Sequence, residues 1–155
     1  MKTSINLIMN GSRIEVSVLP NETLLDLLRN KLDVKSVKAA CWQGDCGLCT
    51  VLLNGIPVKS CLILAIEAEN SSITTVEGLS DGENLSKLQK AFIKHGAVQC
   101  GFCTPAFLLM SHYITSKQEI FSRSEIEHFL NGIICRCTGY KQIVDSIIEV
   151  QEQRD

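Results

Sequence analysis

The chain reads as an α+β protein in two parts, a strand-rich N-terminal half and an all-helical C-terminal half. Three observations lead there. Apolar residues alternate singly up to about residue 76, and from about residue 84 they recur at helical spacing. Eight cysteines divide four and four between the two stretches.

Ile5, Leu7 and Met9 alternate with polar residues, and so do Ile14, Val16 and Val18 across an Asn10-Gly11 pair, the sequence of a tight hairpin. Residues 21–30 (NETLLDLLRN) carry leucines at helical spacing, with Asn21 or Thr23 as N-cap. A cysteine-rich loop, residues 41–49, runs into a strand over 50–53. Asn54-Gly55 then turns the chain toward Val58 and Cys61, and a last strand is expected over 73–76. These elements make a small mixed sheet of the β-grasp kind, placed at residues 1–78.

Residues 77–84 (EGLSDGEN) read as a linker or hinge. Four helices are expected after it, at 84–95, 104–115, 124–130 and 141–151, the first with Leu85, Leu88, Ala91 and Phe92 on one face. They form a compact bundle over residues 79–155. Each half is small for a core held by apolar burial alone, so a bound group is expected to staple it.

The bulk composition excludes several classes. With 45% hydrophobic and 21% charged residues the chain is globular, not disordered. A net charge of −2 without a Lys/Arg cluster leaves no footprint for nucleic acid or anionic lipid. The apolar runs at 62–66 and 106–110 are too short to span a bilayer. The N-terminal residues lack the unbroken apolar core of a signal peptide, so a cytoplasmic, reducing location is expected.

The cysteines carry the chemistry. The first set, Cys41, Cys46, Cys49 and Cys61, is spaced C-x4-C-x2-C and then C, the spacing of a plant-type [2Fe–2S] ferredoxin loop. Gly44 and Gly47 let that loop fold around an inorganic core and turn N–H groups toward its sulfurs. The second set is Cys100-x2-Cys103 and Cys135-x-Cys137. Thr104-Pro105 and Thr138-Gly139 follow these pairs and place both at expected helix N-termini, whose partial positive charge suits an anionic cluster. Disulfides are disfavoured in a reducing compartment. Four-thiolate zinc is the rival reading, stronger for the second set than for the first. His95, His112 and His128 sit at no ligand spacing and read as surface or core fillers. Trp42 reads equally as a core plug or a shield against water, and Arg136 as a counter-charge or a partner contact. No paired carboxylates, Ser/His/Asp set or phosphate loop is present, so the chain holds relays and no substrate chemistry.

SVKAACWQGDCGLCTV, GAVQCGFCTP and ICRCTGY, in this order and across the whole chain, resemble the iron–sulfur subunit of the molybdenum hydroxylases. Xanthine dehydrogenase, aldehyde oxidoreductase, carbon monoxide dehydrogenase and nicotinate dehydrogenase belong to that family. The resemblance implies a β-grasp ferredoxin domain followed by a four-helix [2Fe–2S] domain. It implies that Cys100, Cys103, Cys135 and Cys137 hold the proximal cluster and Cys41, Cys46, Cys49 and Cys61 the distal one. Gln99 and Cys137 would approach the molybdopterin of a large partner subunit. An FAD-binding medium subunit would take the electrons, in a heterotrimer that dimerises and oxidises a purine or related N-heterocycle. The alternative is a free-standing two-cluster ferredoxin. Ala40, Ala106 and Ile133 depart from the family pattern, which has glycine at the first two positions and asparagine at the third.

Overall fold

A computed structural model describes residues 2–153. Strands β1 (Thr3–Met9) and β2 (Ser12–Val18) form the expected hairpin, with Asn10 and Gly11 at φ 48° and 85°, the left-handed pair that a two-residue turn requires. β3 (Thr50–Leu53), β4 (Ile56–Lys59) and β5 (Ser72–Thr74) complete a mixed sheet ordered β2-β1-β5-β3-β4. β1 and β5 are parallel, and the other pairs are antiparallel. α1 (Leu24–Asp26), capped by Thr23, continues as a π-helix over Leu27–Lys31. Its leucines cover the sheet and join Ile5, Leu7, Val18, Val51 and Ile73 in one core, into which Cys49 and Cys61 also pack.

The second half is α2 (Lys87–Lys94), α3 (Thr104–Ser116), α4 (Arg123–Leu130) and α5 (Lys141–Glu152). Their core centres on Phe92, Phe107, Ile126, Leu130 and Ile147, and it includes Cys103. Among the described residues no helix is long and apolar enough to cross a membrane.

Three expectations need correction. The last strand ends at Thr74, because Val76–Leu79 forms a 3₁₀ turn that packs Val76 and Leu79 onto the helical core. The segment expected as a linker or hinge is therefore anchored at its start. Asn10 adds to this, its side chain accepting from the Thr75 N–H and donating to the Thr75 hydroxyl, both at 2.9 Å. α2 begins at Lys87 rather than near residue 84. Ser86 caps it in a reciprocal box with Gln89, leaving Leu85 outside the helix and exposed.

Candidate iron–sulfur sites

The first set lies on the loop entering β3 and on the 3₁₀ turn Ser60–Leu62 that follows β4. Trp42, Gly44 and Gly47 take φ values of 60°, 87° and 66°, so the loop reverses three times between Cys41 and Cys49. A Cβ on Gly44 would fall 2.5 Å from the Leu62 side chain, and one on Gly47 would fall 2.0 Å from the Gly132 carbonyl oxygen. Both expected glycines are thus required by φ, and Gly47 by a backbone contact as well. Ser60 ties the fourth cysteine to the third, its hydroxyl donating to the Cys49 carbonyl at 2.8 Å. Lys59 donates to the Gly44 carbonyl across the loop.

Amide hydrogens converge on sulfur here. The Cys46 N–H lies 3.4 Å from Cys41 Sγ. That N–H, then those of Gln43 and Asp45 and the Cys46 thiol, hold the Cys41 thiol down to about 6. Cys61 goes the other way, to about 11, through burial and the adjacent Cys49. Cys46, Cys49 and Cys61 are buried and Cys41 is half-buried. Trp42 stands exposed at 51%, so it plugs no core.

The second set joins the turn before α3 to the loop before α5. α3 begins at Thr104 as expected, with Pro105 second, while the cap falls on Cys103 and not on Thr104. The other helix, α5, starts at Lys141 as expected, but Gly139 and Tyr140 are both left-handed, at φ 63° and 68°, so Thr138 caps nothing. Thr138 serves sulfur instead: its N–H lies 3.4 Å and its hydroxyl 3.1 Å from Cys135 Sγ. Burial pushes Cys135 up, but the Thr138 hydroxyl and N–H, with the Cys137 N–H, outweigh it and leave the thiol below its ordinary value. Burial and Cys135 push Cys103 to about 12, while contact with Cys100 raises Cys137. All four thiols line a cavity of about 240 Å³ with Leu48, Phe102, Ile134 and Arg136. Cys100, Cys137, Gln99 and Arg136 are exposed, next to exposed Val98, Phe102 and Ile134.

In each set the thiols lie two by two. Cys41 meets Cys46 and Cys49 meets Cys61; Cys103 meets Cys135, and Cys137 Sγ lies 3.6 Å from Cys100 Sγ. Among the described residues no three His, Cys, Asp or Glu side chains are arranged around one ion. Paired thiols with N–H groups aimed at sulfur suit a core of two irons, each taking two thiolates. The histidines stay apart from both sets: His95 pairs with Glu149 at 2.6 Å, and burial on α3 holds the His112 ring below its ordinary value. Of the departing positions, Ala106 and Ile133 are buried in the helical core.

Tyr140, Lys59 and Ser60 escaped the sequence reading. Lys59 and Ser60 directly precede Cys61, and Tyr140 ends the CRCTGY run, so proximity to a cysteine was the available signal.

Residues 7–80 match the family described as the 2Fe-2S iron-sulfur cluster binding domain, and residues 75–148 the [2Fe-2S] binding domain. The nicotine 6-hydroxylase small subunit of Paenarthrobacter nicotinovorans is 43% identical over 152 residues, covering 98% of this chain and 92% of that protein. The xanthine dehydrogenase iron-sulfur-binding subunit of Escherichia coli O157:H7 is 40% identical over 148 residues, 94% of this chain and 92% of the other. The crystal structure of quinoline 2-oxidoreductase from Pseudomonas putida 86 superposes with a TM-score of 0.93 at 43% identity, covering 97% of this chain and 94% of that one. With both halves matched and relatives covered nearly end to end, the chain belongs to the family of small [2Fe–2S] iron–sulfur subunits of molybdenum hydroxylases of the xanthine dehydrogenase type.

Proposed function

We propose that this chain is the electron-transfer subunit of a molybdenum hydroxylase, with the distal cluster on Cys41, Cys46, Cys49 and Cys61 and the proximal one on Cys100, Cys103, Cys135 and Cys137. The observation that carries the reading is the two-by-two pairing of thiols in both sets. When bound, the two centres supply one-electron relay chemistry between the molybdopterin of a large subunit and the FAD of a medium subunit. The protein's own part is to hold thiolate charge and to exclude water. N–H groups on Cys41 Sγ and Cys135 Sγ stabilise that charge, while Cys46, Cys49, Cys61 and Cys103 are kept from solvent. We divide the chain at residues 1–78 and 79–155, one site to each part.

The exposed apolar side chains mark two docking faces. Val98, Phe102 and Ile134 surround Cys100 and Cys137 on one, where residues 99–104 and 135–140, Gln99 among them, meet the molybdopterin subunit. Trp42 on the first loop and Leu62 against Gly44 mark the other, which meets the FAD subunit. Permanent interfaces are large and apolar at their core, as such faces allow. The assembly is a cytoplasmic heterotrimer that dimerises. Nicotine, xanthine and quinoline, named in the three relatives, are all N-heterocycles, which supports a purine or related ring as substrate.

Coexpression with the molybdopterin and FAD subunits encoded beside it tests the reading. The three chains should copurify, and an N-heterocyclic substrate should reduce both clusters. A stable monomer that keeps both clusters and ignores those subunits would make it a free two-cluster ferredoxin. Zinc without acid-labile sulfide would overturn the ligand assignment.

A further inference from the structure

Tyr140 sits where its backbone is costly and its side chain is fully committed. Its φ of 68° is left-handed, a conformation that a residue with a Cβ adopts only at a cost. Such positions persist only when their surroundings over-determine them. Here the hydroxyl accepts from the Cys135 N–H at 3.0 Å and donates to the Ile133 carbonyl at 3.2 Å. The ring meets Phe107 edge-on, with centroids 5.8 Å apart. Phe107 is fully buried in the first turn of α3, the helix that Cys103 begins. One side chain therefore touches both arms of the Cys103–Cys135 pair.

The backbone of Tyr140 acts on the same sulfur. Its N–H donates to Thr138 Oγ1 at 3.3 Å, which occupies that oxygen as an acceptor and leaves the Thr138 hydroxyl hydrogen for Cys135 Sγ, 3.1 Å away. Thr138 adds its own N–H to that sulfur at 3.4 Å. With the Cys135 N–H taken by the Tyr140 hydroxyl, Thr138 supplies two donors to this sulfur beside the Cys137 N–H.

We infer that Tyr140 is a positioning residue of the helical-half site: its hydroxyl locks the Cys135–Tyr140 turn so that Thr138 keeps two donors on Cys135 Sγ, and this raises the reduction potential of the centre bound there. The inference rests on Cys135 being a cluster ligand. Donors to a cysteine sulfur stabilise the added negative charge of the reduced state, so removing them lowers the potential.

The experiment is an EPR-monitored redox titration of the assembled complex carrying Tyr140→Phe, which keeps the ring on Phe107 and deletes only the hydroxyl. The expected result is a lower potential for the helical-half centre, with full iron content and an unmoved potential for the sheet-half centre. Thr138→Val removes the hydroxyl donor directly and should shift the same centre downward. The double variant should fall short of the sum of the two shifts, because both changes act on one sulfur. An unmoved or raised potential in iron-replete Tyr140→Phe overturns the inference, as do fully additive shifts. If Tyr140→Phe fails to retain the centre, Thr138→Val decides: a downward shift supports the assignment and an unmoved potential overturns it. Absence of labile sulfide from the unmodified protein would instead reject the ligand assignment beneath it.

Discussion

The Ile134 N–H donates to the Cys46 carbonyl at 2.9 Å, and this hydrogen bond joins the neighbourhoods of the two cysteine sets. Cys46 belongs to the first set, and Ile134 directly precedes Cys135 of the second. Beside it, Gly47 lies so close to the Gly132 backbone that a Cβ on Gly47 would fall 2.0 Å from the Gly132 carbonyl oxygen. Leu48 continues the seam by lining the second cavity and packing on the helical core. The two sites are thus positioned by a short backbone contact rather than by a flexible linker.

Gly47→Ala should therefore be much worse than Gly44→Ala. Both positions have positive φ, so each substitution costs about 1–2 kcal/mol in backbone strain. At Gly44 the obstructing atoms belong to Leu62, which is 60% exposed and free to swing away. At Gly47 the obstruction is backbone, and the seam itself must open. Urea unfolding should rank the variants wild type, Gly44→Ala, Gly47→Ala. Adding Leu62→Ala should recover part of the loss at Gly44 only.

Single serine substitutions should empty one site at a time. The intact chain should bind about four irons and four labile sulfides, and either Cys46→Ser or Cys103→Ser should leave about two of each. The surviving centre should keep its EPR signal, because the sets share no thiol. In the assembled enzyme Cys46→Ser should leave the proximal centre reducible by substrate while flavin reduction stops. Stopped-flow spectra that lose proximal reduction first would reverse the relay order.

How far the sequence carried the fold differs from element to element. The β1–β2 hairpin was fully legible, since alternation and Asn10-Gly11 are local and agree with each other. Both cysteine sets were legible from spacing. The seam was not: Gly47 and Gly132 lie far apart in sequence, and a backbone contact leaves no periodicity to read. Thr138-Gly139 looked like a helix start because a cap signature is local. The helix instead waits for Tyr140, whose left-handed turn depends on Cys135, Ile133 and Phe107. The start of α2 was readable from Ser86 and Gln89, three residues apart, as was that of α4 from Ser122 and Glu125.

Those caps give a stability prediction with no functional cost. Ser122 accepts from the Glu125 N–H while the Glu125 carboxylate takes the Ser122 N–H at 2.8 Å. Ser122→Ala should lower unfolding stability by about 1 kcal/mol, and Ser86→Ala by a similar amount. Neither residue touches a cysteine, so the EPR spectra of both variants should match those of the unmodified protein. A changed spectrum would mean that cap and cluster are coupled through α4 or α2.

The clasp between α2 and α5 should make stability depend on acid in a definite window. Lys94 lies 2.8 Å and His95 2.6 Å from the Glu149 carboxylate, whose side chain is only 20% exposed. Lys94 first, then His95, with a smaller share from Gln153, hold the Glu149 carboxyl down at about 2 against an ordinary 4.5. A carboxyl whose folded value is depressed adds stability that is fully present above its unfolded value and is lost as pH falls toward the folded one. The clasp should thus act in full above about pH 4.5 and fade between there and about pH 2. Glu149→Gln keeps the shape and removes the charge. It should be less stable than the unmodified protein near neutrality, and the two should converge as pH approaches 2. Urea midpoints followed by far-UV circular dichroism at several pH values supply the difference curve, in which cluster loss common to both proteins cancels. Parallel curves from pH 5 to 2 would show that Glu149 does not join the helices by charge.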